Sequence, residues 1–245
     1  MIQLEICAST LVDVAVAMEA GADRVELCSV WKVGGITPNV VVVESSVAMG
    51  MDVRALVRPR EGHFCWSPSE RTWSVEEARV LVDAGASHVV VGGLTPEHSL
   101  DMAYAQAMCD AVGSDRLVWH RAIDVSETPD RDIDCLLELG IVRVLSSGRH
   151  ARAVDGLVTL ASWSARGMQV VAGGGVRPQD VAALASAGIE AVHASCRSST
   201  TAASHPLFDG QTHPVDPDKV LDLGDAVDAC NEAIDGDASN TNAPS

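Results

Sequence analysis

At 245 residues the chain is long enough for one large α/β domain with a sizeable core. A formal net charge of −17 argues against nucleic acid and anionic membrane surfaces as partners, and no apolar run reaches the length of a membrane span. Seven cysteines, odd in number and without CxxC spacing, point to a reduced, cytoplasmic protein rather than a disulfide scaffold.

The chain opens on Leu4-Glu5-Ile6-Cys7, whose period-two alternation predicts a strand over about 3–7. A helix over Leu11–Ala20 follows and stops at Gly21. Strand two, Arg24-Val25-Glu26-Leu27-Cys28, turns Arg24, Glu26 and Cys28 to one face and Val25 and Leu27 to the other. Two neighbouring strands with carboxylates on one face and a cysteine at each C-terminal end resemble the floor and rim of a site. The rhythm then repeats. Helix 39–49 precedes strand 53–58; a long loop 59–73 leads to helix Val75–Ala84 and strand 88–92. Helix 99–112, strand 116–120, helix 129–139 and strand 142–146 come next, then helix 153–165, strand 168–172, helix 178–187 and strand 190–194. Gly21, Gly85, Gly140 and Gly188 stand where helices end. Eight such units predict a single-domain α/β fold, a (β/α)8 TIM barrel. Residues 197–215, with His205 and His213, read as a polar loop. A closing helix over 217–234 completes a domain spanning 1–234, and 235–245 reads as a disordered tail.

In a barrel of this kind the C-terminal strand ends and the loops after them form the active face. The chemistry-bearing side chains gather there: Cys7, Cys28, Arg58, Arg60, His120, Asp124, His193 and Ser195. Glu5, Arg24 and Glu26 read as one ion network inside the barrel, because buried charges persist only when paired. His120, on an inward strand position, is either a hydrogen-bonded core histidine or a functional group beside Arg121 and Asp124. The run Gly173-Gly174-Gly175 before Pro178 serves either a tight turn or an anion, the latter with Gly174, Gly175, Ser195 and His193 around it. Neighbouring strands lie about 4.8 Å apart, so Cys7 and Cys28 could share a soft ion such as Cu(I). Buried cysteines without a ligand are the plainer alternative.

Several blocks together resemble the CutC copper-homeostasis family. They are Leu4-Glu5-Ile6-Cys7, Gly21 to Cys28, Gly34-Gly35-Ile36-Thr37-Pro38, Arg58 to Ser67, His120-Arg121-Ala122-Ile123-Asp124 and Arg143 to Gly148, continued by Gly173 to Val176 and Glu190 to Ser195. The resemblance covers about 2–196 and fades beyond 197. It implies a (β/α)8 barrel in the cytoplasm, linked to copper tolerance, with Cu(I) on Cys7 and Cys28. The rival reading is an enzyme for a small phosphorylated or carboxylated metabolite. In it Arg58 and Arg60 clamp the anion, His120 moves a proton, and Glu26 or Asp124 orients the histidine. The expected partner is therefore a copper ion or a small anionic metabolite, and the sequence leaves a homo-oligomer open.

Overall fold

The computed structural model describes residues 1–201 and 211–240. The expected barrel is there. Strands β1 (Gln3–Ala8), β2 (Arg24–Leu27), β3 (Val53–Leu56), β4 (His88–Val91), β5 (Leu117–Trp119), β6 (Arg143–Ser146), β7 (Gln169–Gly173) and β8 (Ala191–Ala194) close in chain order. The β8–β1 seam is parallel and sets Gln3 opposite Ala191 and Glu5 opposite His193. Helices α1 (Leu11–Glu19), α2 (Val40–Ala48), α3 (Pro68–Asp83), α4 (Met102–Val112), α5 (Pro129–Glu138), α6 (Leu157–Ala165), α7 (Val181–Ser186) and α8 (Pro217–Asn240) follow their strands in turn. Among the described residues no helix is long and apolar enough to cross a membrane.

Alternation along the strands sorts the side chains into two cores. Outward residues such as Val25, Leu27, Val89, Val144 and Val192 join the helices in one large apolar cluster. A second, smaller cluster lies inside the ring and takes one residue from each strand or its end: Cys7, Cys28, Leu56, Val90, Val118, Leu145, Val171 and Ala191. Glu5, Arg24 and Arg54 precede the belt residues Cys7, Cys28 and Leu56 on their strands, and the C-terminal strand ends open beyond the belt.

Local chemistry shifts several boundaries. The loop expected over 59–73 ends early, because Ser67 caps α3 by accepting from the Glu70 N–H while the Glu70 carboxylate accepts from the Ser67 N–H, with Pro68 in the first turn. The fifth strand stops at Trp119, and His120 caps a 3-10 turn over Arg121–Val125 instead of ending the strand. The third strand stops at Leu56, which leaves Arg58 in the loop beyond it. The last helix runs to Asn240, past the expected 234; residues 241–245 lie outside the described residues. Within 197–215, Thr200–Thr201 and Gln211–Thr212 pair as a short antiparallel ribbon, β9 and β10, while His205 lies outside the described residues.

Candidate functional site

Below the inner belt, Glu5 gathers three cationic groups. Arg24 Nε donates to Glu5 Oε2 at 2.6 Å, Arg54 Nη1 lies 3.3 Å from the same oxygen, and His193 Nδ1 is 2.8 Å from Oε1. Burial by itself would raise the Glu5 pKa, but His193, Arg24 and Arg54 outweigh it and hold the carboxyl well below the usual carboxylate range. The expected network thus forms with Arg54 and His193, and Glu26 is not ion-paired with Arg24. The strand register is the reason: Arg24 stands opposite Glu5, while Glu26, two residues along the same face, stands opposite Cys7.

Above the belt the barrel opens into a cavity of about 440 Å³. Glu26, Arg58, His120, Arg121, Asp124 and His193 all reach its wall, as do Cys7, Gly174, Gly175 and Ser195. Glu26 is buried, and its Oε2 has no protein partner. Burial first, then the nearby Glu5 carboxylate, push its pKa up to about 7 against the pull of His193 and Arg54. His193 itself is raised: burial opposes its charged form, but the Glu5 bond and the Glu26 and Cys28 charges prevail.

His120 sits on the far side of the ring. Its Nδ1 accepts the Ala122 N–H at 3.1 Å, so in the neutral ring the proton resides on Nε2. That nitrogen is buried without a partner. Burial, then the Arg58 charge, push the pKa of His120 down to about 3, so the ring is neutral at physiological pH. Gly92 makes room for it: a Cβ there would stand 2.3 Å from the imidazole. Phe64 packs 5.0 Å from the ring, and the Trp66 indole N–H holds the Gly92 carbonyl at 2.8 Å.

The arginines divide differently from the sequence expectation. Arg58 spends Nη1 on the Val33 and Gly35 carbonyls and Nη2 on the Gly62 carbonyl, leaving a buried Nε without a partner. Arg60 turns away from the cavity to Glu70 and to the carbonyls of Glu61, His63 and Cys65. Neither terminal fork is free to clamp an anion. Arg121 is the more available cation, half-exposed and held by Asp124 and Ser147. Asp124 accepts from Arg121, Ser146, Ser147 and Arg149, and so ties the β5 end to the β6 loop. It makes no contact with His120 that would orient the ring.

Cys7 and Cys28 meet at 3.7 Å between sulfurs. Cys7 faces the cavity, where its sulfur, a Glu26 oxygen and a His193 nitrogen lie within 4.8 Å of one another. Its thiol is pushed up by the bond to Cys28, by burial and by the Glu26 charge. Cys28 sits under Gly35, whose missing Cβ would stand 3.0 Å from the Cys28 Cβ. Two contributors carried no sequence signal. Trp31 forms part of the mouth from a 3-10 turn after β2. Arg197 anchors the returning segment by bonding Asp13, the Cys7 and His213 carbonyls and Ser9, with Trp31 stacked 5.2 Å away.

Comparison with known proteins gives one consistent result. A family model described as CutC family matches residues 2–198. A relative named family protein CutC from Citrobacter koseri is 34% identical over 200 residues, covering 80% of each chain. One of the same name from Agrobacterium fabrum is 34% identical over 213 residues, 85% of this chain and 82% of that protein. A solved structure described as a candidate copper homeostasis protein CutC from Streptococcus agalactiae superposes with a TM-score of 0.74 at 27% identity, covering 80% of this chain and 99% of that one.

Proposed function

The chain belongs to the CutC family, and from that premise we propose that its rim cavity binds a small phosphorylated or carboxylated metabolite and moves a proton on it. One observation carries the reading: Glu26 Oε2 and His120 Nε2 are buried polar atoms without protein partners, and both residues face the same cavity. Leaving such groups unsatisfied costs about 1–3 kcal/mol each, which a ligand with matching groups would relieve. They approach it from β2 and the end of β5, three strands apart in the ring, so a ligand between them meets both.

The chemistry that suits this pair is proton abstraction next to a carbonyl. Glu26, with its pKa raised to about 7, takes the carbon-bound proton. The C–H electron pair becomes the C=C bond of an enolate, and the carbonyl oxygen takes the charge. His120 meets that oxygen with its Nε2–H as a neutral donor. The Glu26 carboxyl then returns the proton to carbon. Burial, reinforced by the nearby Arg58 charge, keeps the imidazole neutral. The test is deuterium wash-in. A panel of small oxo-acids and sugar phosphates is incubated with the protein in D2O and read by mass spectrometry. At least one compound should gain deuterium with the wild type and none with Glu26→Gln. A panel left unlabelled by the wild type counts against proton transfer.

A second reading, Cu(I) binding in copper homeostasis, is favoured by the 3.7 Å between the Cys7 and Cys28 sulfurs. Thiolates suit Cu(I), and His193 offers a third donor beside Cys7. The Glu26 carboxylate in the same group suits a harder ion, which is why this reading stands second. An anaerobic Cu(I) titration against a chromophoric competitor decides it. Uptake lost in Cys7→Ser/Cys28→Ser supports copper; equal uptake by wild type and double variant removes it.

A further inference from the structure

We infer that the metabolite carries a phosphate group, seated at the β7–β8 side of the mouth on Gly174, Gly175 and Ser195 with Arg121 beside them. This deepens the proton-transfer reading and rests on it for the position of the reacting carbon.

The backbone after β7 is shaped for close approach by a ligand. Gly174 and Gly175 have φ of 122° and 58°, a stretch of positive φ that only glycine takes up readily. Their N–H groups donate to no protein acceptor among the described residues, although Gly174 is half-buried. The Gly174 carbonyl, by contrast, is engaged by the Ala153 N–H at 2.8 Å, which fixes the loop and leaves the donors as its free side. Ser195, at the end of the facing strand, has a hydroxyl without a protein partner among the described residues and lines the same cavity.

Charge and space agree with that. A Cβ at Gly174 would lie 3.5 Å from the Arg121 Cζ, so the guanidinium stands directly against this loop. Arg121 is therefore a cation that reaches both the loop and the cavity, in a chain whose formal net charge is −17. A second hollow of about 230 Å³ continues outward from Gly175, Ala194 and Ser195, residues it shares with the central cavity, toward Lys219. A tetrahedral dianion fits such a cradle of backbone donors, a hydroxyl and a guanidinium. A planar carboxylate has fewer oxygens than the donors offered. Two buried unpartnered donors on residues of the cavity wall, His120 Nε2 and Arg58 Nε, remain for the carbonyl end of the molecule. With the phosphate at β7–β8, a short carbon chain runs inward past Glu26 toward His120.

The experiment uses the whole chain, with 2-phosphoglycolate as probe and glycolate as its phosphate-free control, at constant ionic strength. Calorimetry should give at least tenfold tighter binding of 2-phosphoglycolate than of glycolate, with inorganic phosphate competing for it. In amide NMR spectra of the wild type, Gly174 and Gly175 should shift on adding 2-phosphoglycolate and stay in place with glycolate. Ser195→Asp, which sets a carboxylate in the cradle, should weaken the probe at least tenfold, while Ser195→Asn weakens it less than about threefold. Equal affinities for probe and control, or glycine amides that do not move, overturn the phosphate assignment. The two readings fail separately. Wash-in confined to unphosphorylated oxo-acids keeps proton transfer and removes the phosphate. Probe binding at Gly174 and Gly175 without any wash-in keeps the phosphate seat and removes proton transfer.

Discussion

The floor and the mouth of this barrel are built from the same residue types to opposite ends. At the floor Glu5 serves Arg24, Arg54 and His193 at once. At the mouth Glu26, farther along β2, and His120, just beyond β5, are also buried and leave polar atoms unmet on residues that line the cavity. Arg24 Nη2 and Arg54 Nε at the floor are unmet too, but neither residue lines that cavity. Pairing of a buried charge serves stability, while a buried group left open costs stability unless a ligand completes it. Function is therefore sought where an unsatisfied group also faces a cavity, as Glu26 and His120 do and Arg24 and Arg54 do not.

The contrast breaks most visibly at the floor. Glu5→Ala strands three cationic groups in the barrel, and removing one partner of a buried pair costs about 3–5 kcal/mol. Urea unfolding should show a loss of that size for Glu5→Ala and for Arg24→Ala; a loss below about 1 kcal/mol would mean the floor is not a buried network. The pH dependence has a fixed sign. The folded pKa of Glu5 is depressed, so its contribution is complete above the unfolded value and is lost as the pH falls through the acid range.

At the mouth the sign reverses. The folded pKa of Glu26 is raised from 4.5 to about 7, so the native state binds the extra proton between those values. Stability therefore declines as pH rises from about 4.5 and levels off above about 7, a loss on the order of 3 kcal/mol. Glu26→Gln should flatten that decline while ending deuterium wash-in. If Glu26→Gln is instead less stable than wild type at pH 8, the carboxylate is paired in solution and the contrast with the floor collapses.

The smallest effect sharpens the comparison from outside both regions. Ser67→Ala removes the N-cap of α3, worth about 1 kcal/mol, at the end of the loop that brings Phe64 and Trp66 to His120. Thermal unfolding should register that loss with ligand binding at the mouth nearly unchanged. A large loss of binding would show that the cap positions the loop over His120.

Four residues of the floor and mouth were legible from strand periodicity, because alternation by itself puts Glu5, Cys7, Arg24 and Glu26 on inward faces, whereas Arg54 of the floor was not singled out. Their partners were not legible. Arg58 and Arg60 read as a pair of anion clamps, yet one wraps loop carbonyls and the other caps a surface turn around Glu70. His120 read as a strand residue, and its acceptor bond from Ala122 is what fixes the proton on Nε2. The early start of α3 is encoded locally in Ser67-Pro68-Ser69-Glu70, a capping box with proline in the first turn.

By itself, the sequence determined the eightfold strand-and-helix rhythm, the parallel barrel it closes into and the family to which the chain belongs. The rhythm and the barrel follow from local propensity and hydrophobic period, which are properties of neighbouring residues, and the family follows from the matching motif blocks over residues 2–198. The tertiary structure decided which polar groups are spent and which are left open, since that depends on register across strands and on the paths of loops. Glu26 stands opposite Cys7 because β1 and β2 pair in that register. His120 settles over Gly92 because β4 and β5 bring together residues 28 positions apart in the chain. Contacts of that range have no local signature, because their energies depend on partners that only the closed barrel brings together.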